Sequence, residues 1–341
     1  MSVEYFITGG AGFIGSNYVN RLLQRKAKVT IYDNLSRAGA PLNIKWLKET
    51  HGDNAFQLVA GDVRDADLLA EKARQADVIV HLAAQVAVTT SVLQPREDFE
   101  INAQGTFNVI EAARSSGRDP VVLFASTNKV YGEMEDVPAV EASTRWRYEN
   151  LPLGCPETQP LDFHSPYGCS KGAGDQYVRD YSRIYGLRSV VFRQSCIYGP
   201  RQFGVEDQGW LAWMVIAAIT GRKISIYGDG KQVRDVLHVD DLLDAYDAVI
   251  ANIEKVKGRV YNLGGGSNNV ISVWAEFGPM LEKLLGKPIP VTHGDWRPGD
   301  QKVFVADIRK AESELGWKPK INVEEGVKRL FNWVLENRHL F

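Results

Sequence analysis

Short apolar runs alternate with amphipathic stretches through the first half of the chain. The runs are apolar throughout, which predicts strands covered on both faces, at residues 5–8, 29–32, 56–60, 78–82, 121–125 and 189–193. The stretches between them have a helical period and predict helices at residues 13–24, 66–74, 102–115 and 167–185. Strands that alternate with helices in this way indicate βαβ units and a parallel sheet.

The pattern changes after about residue 192. Residues 198–208 are rich in glycine, arginine and polar side chains, which favours a loop. Beyond this loop we expect strands at 223–230 and 260–263, and helices at 209–220, 238–251, 272–285, 308–315 and 323–338. The pattern as a whole predicts an α/β chain, with a Rossmann-type doubly wound parallel sheet over residues 1–192 and a smaller mixed α/β C-terminal substrate domain.

Length and composition narrow the class of protein. The 341 residues suffice for about two domains, and 44% hydrophobic with 24% charged residues is typical of a folded chain. The net charge of −2 provides no basic surface for nucleic acid, and no apolar run approaches the ~20 residues of a membrane span. The three cysteines, without CxxC spacing, argue against a disulfide framework or a metal site. With no signal peptide visible, we expect a cytoplasmic protein without nucleic-acid or membrane partners.

A glycine-rich turn lies between the first predicted strand and the first predicted helix. Gly9, Gly12 and Gly15 have the spacing Gly-x-x-Gly-x-x-Gly. Glycines let the backbone approach a pyrophosphate closely, and the helix N-terminus adds free N–H groups and a positive dipole. A chance glycine-rich turn is the alternative, but the position between strand and helix favours dinucleotide binding.

An acidic residue in the expected place supports this interpretation. Asp33 ends the second predicted strand, 24 residues after Gly9, and its carboxylate suits the adenosine ribose of NAD. The same charge disfavours the 2′-phosphate of NADP, although the nearby Arg37 weakens that preference. An ordinary turn aspartate is the alternative. Ligands of open α/β sheets bind at the carboxyl ends of the strands. The residues at the ends of the third and fourth predicted strands are therefore further predicted contacts: Asp62, Val63, Leu82, Ala83 and Ala84.

A tyrosine and a lysine at helical spacing provide candidate chemistry. Tyr167 and Lys171 are four residues apart after Pro166, which can open a helix, so they share one helix face. A phenol with a pKa near 10 needs a nearby ammonium or a cationic nicotinamide to act as a base at neutral pH. Thr127, at the end of the fifth predicted strand, can orient a sugar hydroxyl. A surface tyrosine–lysine pair and a turn threonine are the alternatives.

Together these residues resemble the extended short-chain dehydrogenase/reductase superfamily, in its nucleotide-sugar branch. Further segments that carry the likeness are 126–132, 192–193, 198–200, 234–241 and 315–319. The resemblance implies a seven-stranded NAD-binding domain (1–192 with a returning segment at about 235–264) and a nucleotide-sugar-binding domain (193–234 and 265–341). It also implies further cofactor contacts from Phe13, Ile14, Asn34, Ser36, Arg37, Gln85 and Asn102, beside Tyr167 and Lys171.

Segments 126–132, 159–173 and 207–210 resemble most closely one branch of this superfamily, the CDP-paratose (CDP-tyvelose) 2-epimerases. That resemblance implies NAD-dependent epimerisation of a CDP-linked hexose at C2 through a 2-keto intermediate, with Tyr167 as base and Thr127 and Lys171 as its catalytic partners. The implied substrate contacts are Thr127, Asn128, His164, Cys196, Gln208, Trp210, Tyr227, Arg234 and Arg297. The alternatives are another nucleotide-sugar epimerase, such as a UDP-glucose 4-epimerase, and a non-catalytic NAD-binding scaffold.

The chain departs from other branches at two sites. Sugar 4,6-dehydratases resemble it but carry Asp and Glu after the fifth strand, where this chain has Asn128 and Lys129, so dehydration is disfavoured. Cys196 stands where many 4-epimerases have an asparagine that contacts substrate phosphate, which argues against an ordinary UDP-galactose 4-epimerase. The resemblance also implies a homodimer or homotetramer, assembled through the helices at 102–115 and 167–185.

Overall fold

The secondary structure follows the alternation of strands and helices along the chain. The computed structural model describes residues 3–296 and 300–341. The strands are β1 (Glu4–Thr8), β2 (Lys28–Asp33), β3 (Gln57–Ala60), β4 (Val78–His81), β5 (Val121–Thr127), β6 (Ala139–Glu141), β7 (Trp146–Tyr148), β8 (Arg188–Gln194), β9 (Cys196–Tyr198), β10 (Ile224–Tyr227), β11 (Val233–His238), β12 (Val260–Leu263), β13 (Val270–Ser272), β14 (Val291–Gly294) and β15 (Val303–Phe304).

The helices connect these strands. They are α1 (Phe13–Gln24), α2 (Ala40–His51), α3 (Ala66–Ala73), α4 (Val88–Leu93), α5 (Pro95–Phe99), α6 (Gly105–Ser115), α7 (Ser165–Tyr185), α8 (Trp210–Thr220), α9 (Val239–Ala251), α10 (Ile253–Val256), α11 (Phe277–Leu285), α12 (Arg309–Leu315) and α13 (Val323–Glu336). A π-helical turn, Glu100–Gln104, joins α5 to α6, and a 3₁₀ turn, Asn128–Tyr131, follows β5.

A parallel seven-stranded sheet forms the centre of the first part of the chain, with the order β12-β8-β5-β4-β1-β2-β3. Every neighbouring pair in it is parallel. All seven strands fall on apolar runs that the sequence predicts as strands, and the Rossmann-type fold is confirmed. Helix α2 is missing from the predictions, although its buried residues Ala40, Ile44 and Leu47 have a helical spacing.

Both faces of this sheet are buried, which explains why its strands are apolar throughout. In β1, Ile7 belongs to the core on one face, together with Tyr18 of α1 and Tyr246 of α9. Its neighbour Phe6 belongs to the core on the other face, together with Ile110 of α6. Successive side chains of a strand point to opposite faces, so each strand of the sheet supplies both cores.

The C-terminal part of the chain is a mixture of small sheets and helices. Strand β11 pairs with β13, β15 and β9, and β10 pairs with β14. A further small sheet, β6 with β7, comes from the segment before α7. Helix α8 is buried on nearly every side, where it packs among α11 and α13. The edge strand β12 returns to the central sheet beside β8.

One predicted helix is shorter than expected. The sequence predicts a helix over 272–285, but β13 occupies its first residue and α11 begins only at Phe277. Ser272 pairs with Val233 in the sheet, and its hydroxyl accepts the backbone N–H of Glu276 at 2.9 Å. The Glu276 carboxylate in turn accepts the Ser272 N–H at 2.9 Å, so this reciprocal pair fixes the turn between strand and helix.

Two kinds of site are absent from the part of the chain that the structure describes. No helix there has the length and apolar character needed to span a bilayer. Within the same residues, no group of three or more His, Cys, Asp or Glu side chains is placed to hold a metal ion.

Candidate active site

A cleft of about 360 Å³ opens at the carboxyl ends of the central strands. The fold places loops from several strands at this edge, which is where ligands of open parallel sheets bind. The cleft brings together most of the residues predicted to contact the cofactor. These are Gly9, Gly12, Phe13, Ile14, Gly15, Asp33, Asn34, Ser36, Arg37, Asp62, Val63, Leu82, Ala83, Ala84, Tyr167 and Lys171.

The glycine turn is packed so closely that side chains are excluded from it. Gly9 has a φ of +69°, and a Cβ there would lie 2.6 Å from the Ala83 nitrogen. A Cβ on Gly15 would collide with the Gly9 carbonyl and lie 2.6 Å from the Gly10 Cα. Helix α1 starts immediately after Gly12 with no side-chain cap, so its first N–H groups face the cleft. This arrangement fits a pyrophosphate at the helix N-terminus.

Asp33 is positioned by the same turn. Its carboxylate accepts the backbone N–H of Ala11 at 3.0 Å and that of Leu35 at 2.8 Å. Burial raises the pKa of Asp33, and the Leu35 and Ala11 N–H groups oppose that rise. The carboxylate therefore links the glycine turn to the loop after β2, in a position that suits a ribose of NAD.

Asp62 and Asn34 form the next part of the cleft wall. The Asn34 amide donates to Asp62 at 3.0 Å, and the Ser36 N–H donates to the Asn34 side chain at 3.1 Å. Arg64 binds Asp62 through Nε and Nη2, at 2.9 and 2.8 Å, and holds the pKa of that carboxyl well below its usual range. Asp62 is therefore an anionic hydrogen-bond acceptor at neutral pH.

Gln85 and Asn102, two further predicted cofactor contacts, lie behind the cleft wall. Asn102 is 1% exposed, and its amide accepts the Gln85 N–H and donates to the Gln85 carbonyl, both at 2.9 Å. It therefore fixes the loop that follows Leu82–Ala84. Asp98, which the sequence interpretation missed, is fully buried beside both residues. The only sign of Asp98 in the sequence is its position, four residues before Asn102.

Tyr167 and Thr127 are hydrogen-bonded partners at the inner end of the cleft. Helix α7 begins with Ser165 and Pro166 in its first turn, which brings the Tyr167 ring to the end of β5. Burial raises the pKa of Tyr167 to about 12, and the hydrogen bond with Thr127 lowers it. Asp98 raises the same pKa and Arg37 lowers it. The protein's own groups therefore leave the pKa of Tyr167 above its ordinary value, contrary to the lowering expected from a nearby ammonium. A lowered pKa would need the positive charge of a bound nicotinamide.

Lys171 lies one helical turn beyond Tyr167. Its Nζ donates to the Ala125 carbonyl at 2.6 Å and lies 4.4 Å from the centre of the Phe124 ring. Burial lowers the pKa of Lys171 to about 8, while Asp175 and Asp98 raise it. The ammonium has further N–H donors that can reach a ribose in the cleft.

A loop that the sequence did not connect with the cofactor covers one side of the cleft. Residues 201–205 and Gln208 line it, and Val205 and Gln208 exchange backbone hydrogen bonds at 3.0 and 2.9 Å. The tight turn directs the Gln208 side chain to Arg37, which donates to it. Gln208, predicted to contact the substrate, thus lies at the cofactor cleft. Arg201 holds the loop through its guanidinium, 4.2 Å from the centre of the Trp46 ring.

A second cavity, of about 190 Å³, is lined by Lys129 and Ser165, which are close in sequence to Thr127 and Tyr167. His164, which precedes α7, lines it and lies 3.2 Å from the Glu133 carboxylate. Asn128 accepts from the Thr127 hydroxyl at 3.4 Å and begins the 3₁₀ turn. Asn128 is therefore beside the Thr127 hydroxyl, while His164 lies at the second cavity, and contact of either residue with a substrate stays a prediction.

The other predicted substrate residues come from the C-terminal part. Arg234, on β11, donates to Asp300 at 2.6 Å, and Cys196 is close enough to Arg234 for the guanidinium to oppose the burial that raises the pKa of the thiol. Trp210 packs edge-on against Phe277 with ring centres 5.5 Å apart. Tyr227 donates to the Glu206 carboxylate at 3.1 Å. Arg297 lies outside the described residues.

Comparisons with known proteins extend over the whole fold and site. A family model described as GDP-mannose 4,6 dehydratase matches residues 6–330. CDP-paratose 2-epimerase of Salmonella typhi is 42% identical, over 97% of this chain and 99% of its own length. A putative UDP-glucose 4-epimerase of Methanocaldococcus jannaschii is 34% identical, over 97% and 98%. The crystal structure of dTDP-glucose 4,6-dehydratase from Streptomyces venezuelae, with NAD bound, covers 99% of both chains with a TM-score of 0.84 and 31% identity.

The glycine turn, Asp33 and the Tyr167–Lys171 pair, on this fold, define an enzyme of the NAD-dependent nucleotide-sugar epimerase and dehydratase class. The chain belongs to the family described as GDP-mannose 4,6 dehydratase, and NAD is the cofactor that this family uses.

Proposed function

We propose that this enzyme epimerises a CDP-linked hexose at C2, with NAD bound throughout and Tyr167 as the base. The observation that carries the proposal is the set of groups around the Tyr167 phenol: a hydrogen-bonded Thr127 hydroxyl, followed by Asn128 and Lys129. The full-length similarity to the CDP-paratose 2-epimerase of Salmonella typhi supports CDP as the nucleotide and C2 as the carbon.

The chemistry divides between the cofactor and the protein. Bound NAD supplies the hydride acceptor, and later the hydride donor, at the sugar carbon. The Tyr167 phenolate accepts the proton of the C2 hydroxyl as that carbon becomes a ketone. The Thr127 hydroxyl orients the sugar oxygen during this transfer. When the ketone is reduced from its other face, Tyr167 returns the proton, so the enzyme ends each turnover as it began.

Dehydration is disfavoured by the same groups. Elimination of water needs a carboxylic acid and a carboxylate, and the positions that hold them in sugar 4,6-dehydratases are Asn128 and Lys129 here. Burial and the neighbouring Arg234 lower the pKa of Lys129, whereas Asp300 raises it. An amide and an amine at these positions support oxidation and reduction at one carbon without loss of water.

The diphosphate of the substrate would bind near β11. Arg234 is 8% exposed, and its fork of N–H groups suits a phosphate oxygen pair. Asp300 is its carboxylate partner in this structure, so a diphosphate would share or replace that hydrogen bond. Trp210, Tyr227 and Arg297 are the further residues that we assign to the nucleotide part.

Deuterium labelling tests two parts of the proposal together: which sugar carbon is epimerised and which nucleotide the substrate carries. The enzyme is incubated with CDP-paratose, CDP-glucose and UDP-glucose, each deuterated at C2 or at C4. We expect CDP-sugar epimers that keep the C2 label, and Tyr167→Phe should lower the rate by at least ~100-fold. Turnover confined to UDP-glucose with inversion at C4, as the similarity to the Methanocaldococcus jannaschii protein would favour, overturns the proposal in favour of a UDP-sugar 4-epimerase.

We also propose a homodimer formed through α6 and α7. Large apolar side chains on these helices are exposed, among them Tyr177 at 50%, Ile184 at 65% and Tyr185 at 56%. Such a contiguous apolar patch is typical of an interface. Light scattering should give twice the chain mass of 38.0 kDa, and Ile184→Asp should lower the measured mass to that of the monomer.

We further propose that the protein is cytoplasmic. Its three free cysteines fit a reducing compartment such as the cytoplasm.

A further inference from the structure

Asp98 is a fully buried carboxylate whose hydrogen-bond partners are all neutral. It accepts the Ser170 hydroxyl at 2.5 Å, the Gln85 amide at 2.8 Å and the Asn102 amide at 3.1 Å. None of the ion pairs formed by the described residues includes it. Three donors therefore satisfy the two oxygens of this carboxyl group, and no cation is in contact with it among the described ion pairs.

This carboxylate joins the two halves of the active site. Gln85 continues the loop whose residues Leu82–Ala84 line the cofactor cleft, and Asn102 fixes the backbone of that loop. Ser170 lies on α7 directly before Lys171 and contacts the Tyr167 carbonyl at 3.2 Å. Asp98 therefore links the cofactor loop to the catalytic helix, beside the direct hydrogen bond of 3.2 Å from the Asn102 amide to the Ser170 hydroxyl.

The charge of Asp98 also acts on the reacting groups. It raises the pKa of both Tyr167 and Lys171. Burial has the larger effect on each group: it raises the pKa of Tyr167 and lowers that of Lys171. The other charged groups around the pair are Arg37, near Tyr167, and Asp175, near Lys171, and Asp175 is itself paired with Arg193. Asp98 is thus the buried acid near Tyr167 that has no cation of its own among the described ion pairs.

We propose that Asp98 is a positioning residue that joins the cofactor loop to the catalytic helix and, as a buried anion, favours the positively charged oxidised nicotinamide over the neutral reduced form. The inference rests on the proposed function, because it needs the reacting end of NAD beside Tyr167. A bias towards the oxidised cofactor suits an epimerase, since it drives the return of the hydride to the sugar before the ketone escapes.

Cofactor affinities test this role without any turnover. After removal of bound nucleotide, the dissociation constants of NAD⁺ and NADH are measured for the wild-type enzyme and three variants. In Asp98→Asn the ratio of the NAD⁺ constant to the NADH constant should rise roughly tenfold, because a unit charge in a medium of low dielectric is lost. Ser170→Ala removes one hydrogen bond but keeps the charge, so its ratio should stay within about threefold of wild type. Glu97→Gln removes an exposed charge from the same helix and should leave the ratio unchanged.

Each outcome decides between a charge role and a merely structural one. A ratio in Asp98→Asn within twofold of wild type overturns the proposal, even if both affinities fall together. If this variant does not fold, Asp98→Ser is measured in its place, and failure of both to fold assigns Asp98 to structure alone. Failure of the C2 labelling experiment would overturn the proposed function separately, since the affinity ratio requires no sugar substrate.

Discussion

Arg193 and Asp175 form a buried, two-pronged ion pair behind the active site. Arg193 donates from Nε at 2.9 Å and from Nη2 at 3.0 Å, and the two side chains are 3% and 0% exposed. The Ser126 hydroxyl also donates to Asp175, at 2.8 Å. The pair therefore fixes α7, which carries Tyr167, against β8 and the end of β5, which carries Thr127.

We predict a large loss of stability when this pair is broken. Asp175→Asn leaves the Arg193 guanidinium buried without a counter-charge, which should lower the free energy of unfolding by ~3–5 kcal/mol. Urea denaturation followed by circular dichroism measures the change. Asp180→Asn, at an exposed site on the same helix, should change it by less than ~0.5 kcal/mol. A small effect at Asp175 would mean that water reaches the pair.

Two glycines of the cofactor turn should respond differently to an added methyl group. In Gly15→Ala the Cβ collides with the backbone of Gly9 and Gly10, so the turn must move, at a cost of ~1–3 kcal/mol or more. In Gly12→Ala the Cβ lies 3.2 Å from one carbonyl oxygen, a contact that a small shift relieves. Thermal unfolding should therefore separate the two variants, with Gly15→Ala the less stable. Equal melting temperatures would contradict the packing seen at Gly15.

The Asp33 carboxylate should control the choice between NAD and NADP. Asp33→Ala removes the acceptor for a ribose hydroxyl and the repulsion of a 2′-phosphate, while Arg37 remains in the cleft. We expect the affinity for NAD to fall about tenfold and the preference for NAD over NADP to fall by at least as much, which corresponds to ~1.4 kcal/mol. Calorimetric titration with both cofactors measures this. Asp53→Ala, a change at a solvent-exposed aspartate, is the matched control and should leave both affinities unchanged.

Asp235 should make the stability depend on pH. Burial raises its pKa to about 6, against the hydrogen bonds from Ser195 and from backbone N–H groups. The folded state therefore holds this proton at pH values where the unfolded chain, with an ordinary pKa near 3.9, has lost it. The contribution of the carboxyl group to stability is complete below about pH 4 and is lost as the pH rises through 6.

The comparison of wild type with Asp235→Asn isolates this titration. The amide does not titrate, so the free energy of unfolding of wild type minus that of the variant should fall by about 2 kcal/mol between pH 4.5 and 7.5. Denaturant melts at several pH values give this difference. A difference that stays constant, or that rises with pH, would show that the folded-state pKa of Asp235 is not raised.

The sequence alone determined the central sheet and the cofactor turn. Strands buried on both faces must be apolar at successive positions, so the seven runs are visible without any tertiary information. Gly9, Gly12 and Gly15 are close in sequence, and so are Tyr167 and Lys171, so their geometry follows from one turn and one helix. Spacing along the sequence was sufficient to predict these two groups, because each group lies within one helix or at the turn that begins one.

Only the tertiary structure decided which distant residues complete the site. Asp98 and Ser170 are 72 positions apart, and Arg37 and Gln208 are 171 apart, so no local period connects them. The loop at 201–208 has the composition of a polar loop, and only the folded chain places it over the cleft, where Arg201 packs on Trp46. A buried carboxylate such as Asp98 has no sequence pattern of its own, because its role depends on three donors that meet only when the sheet and helices are assembled.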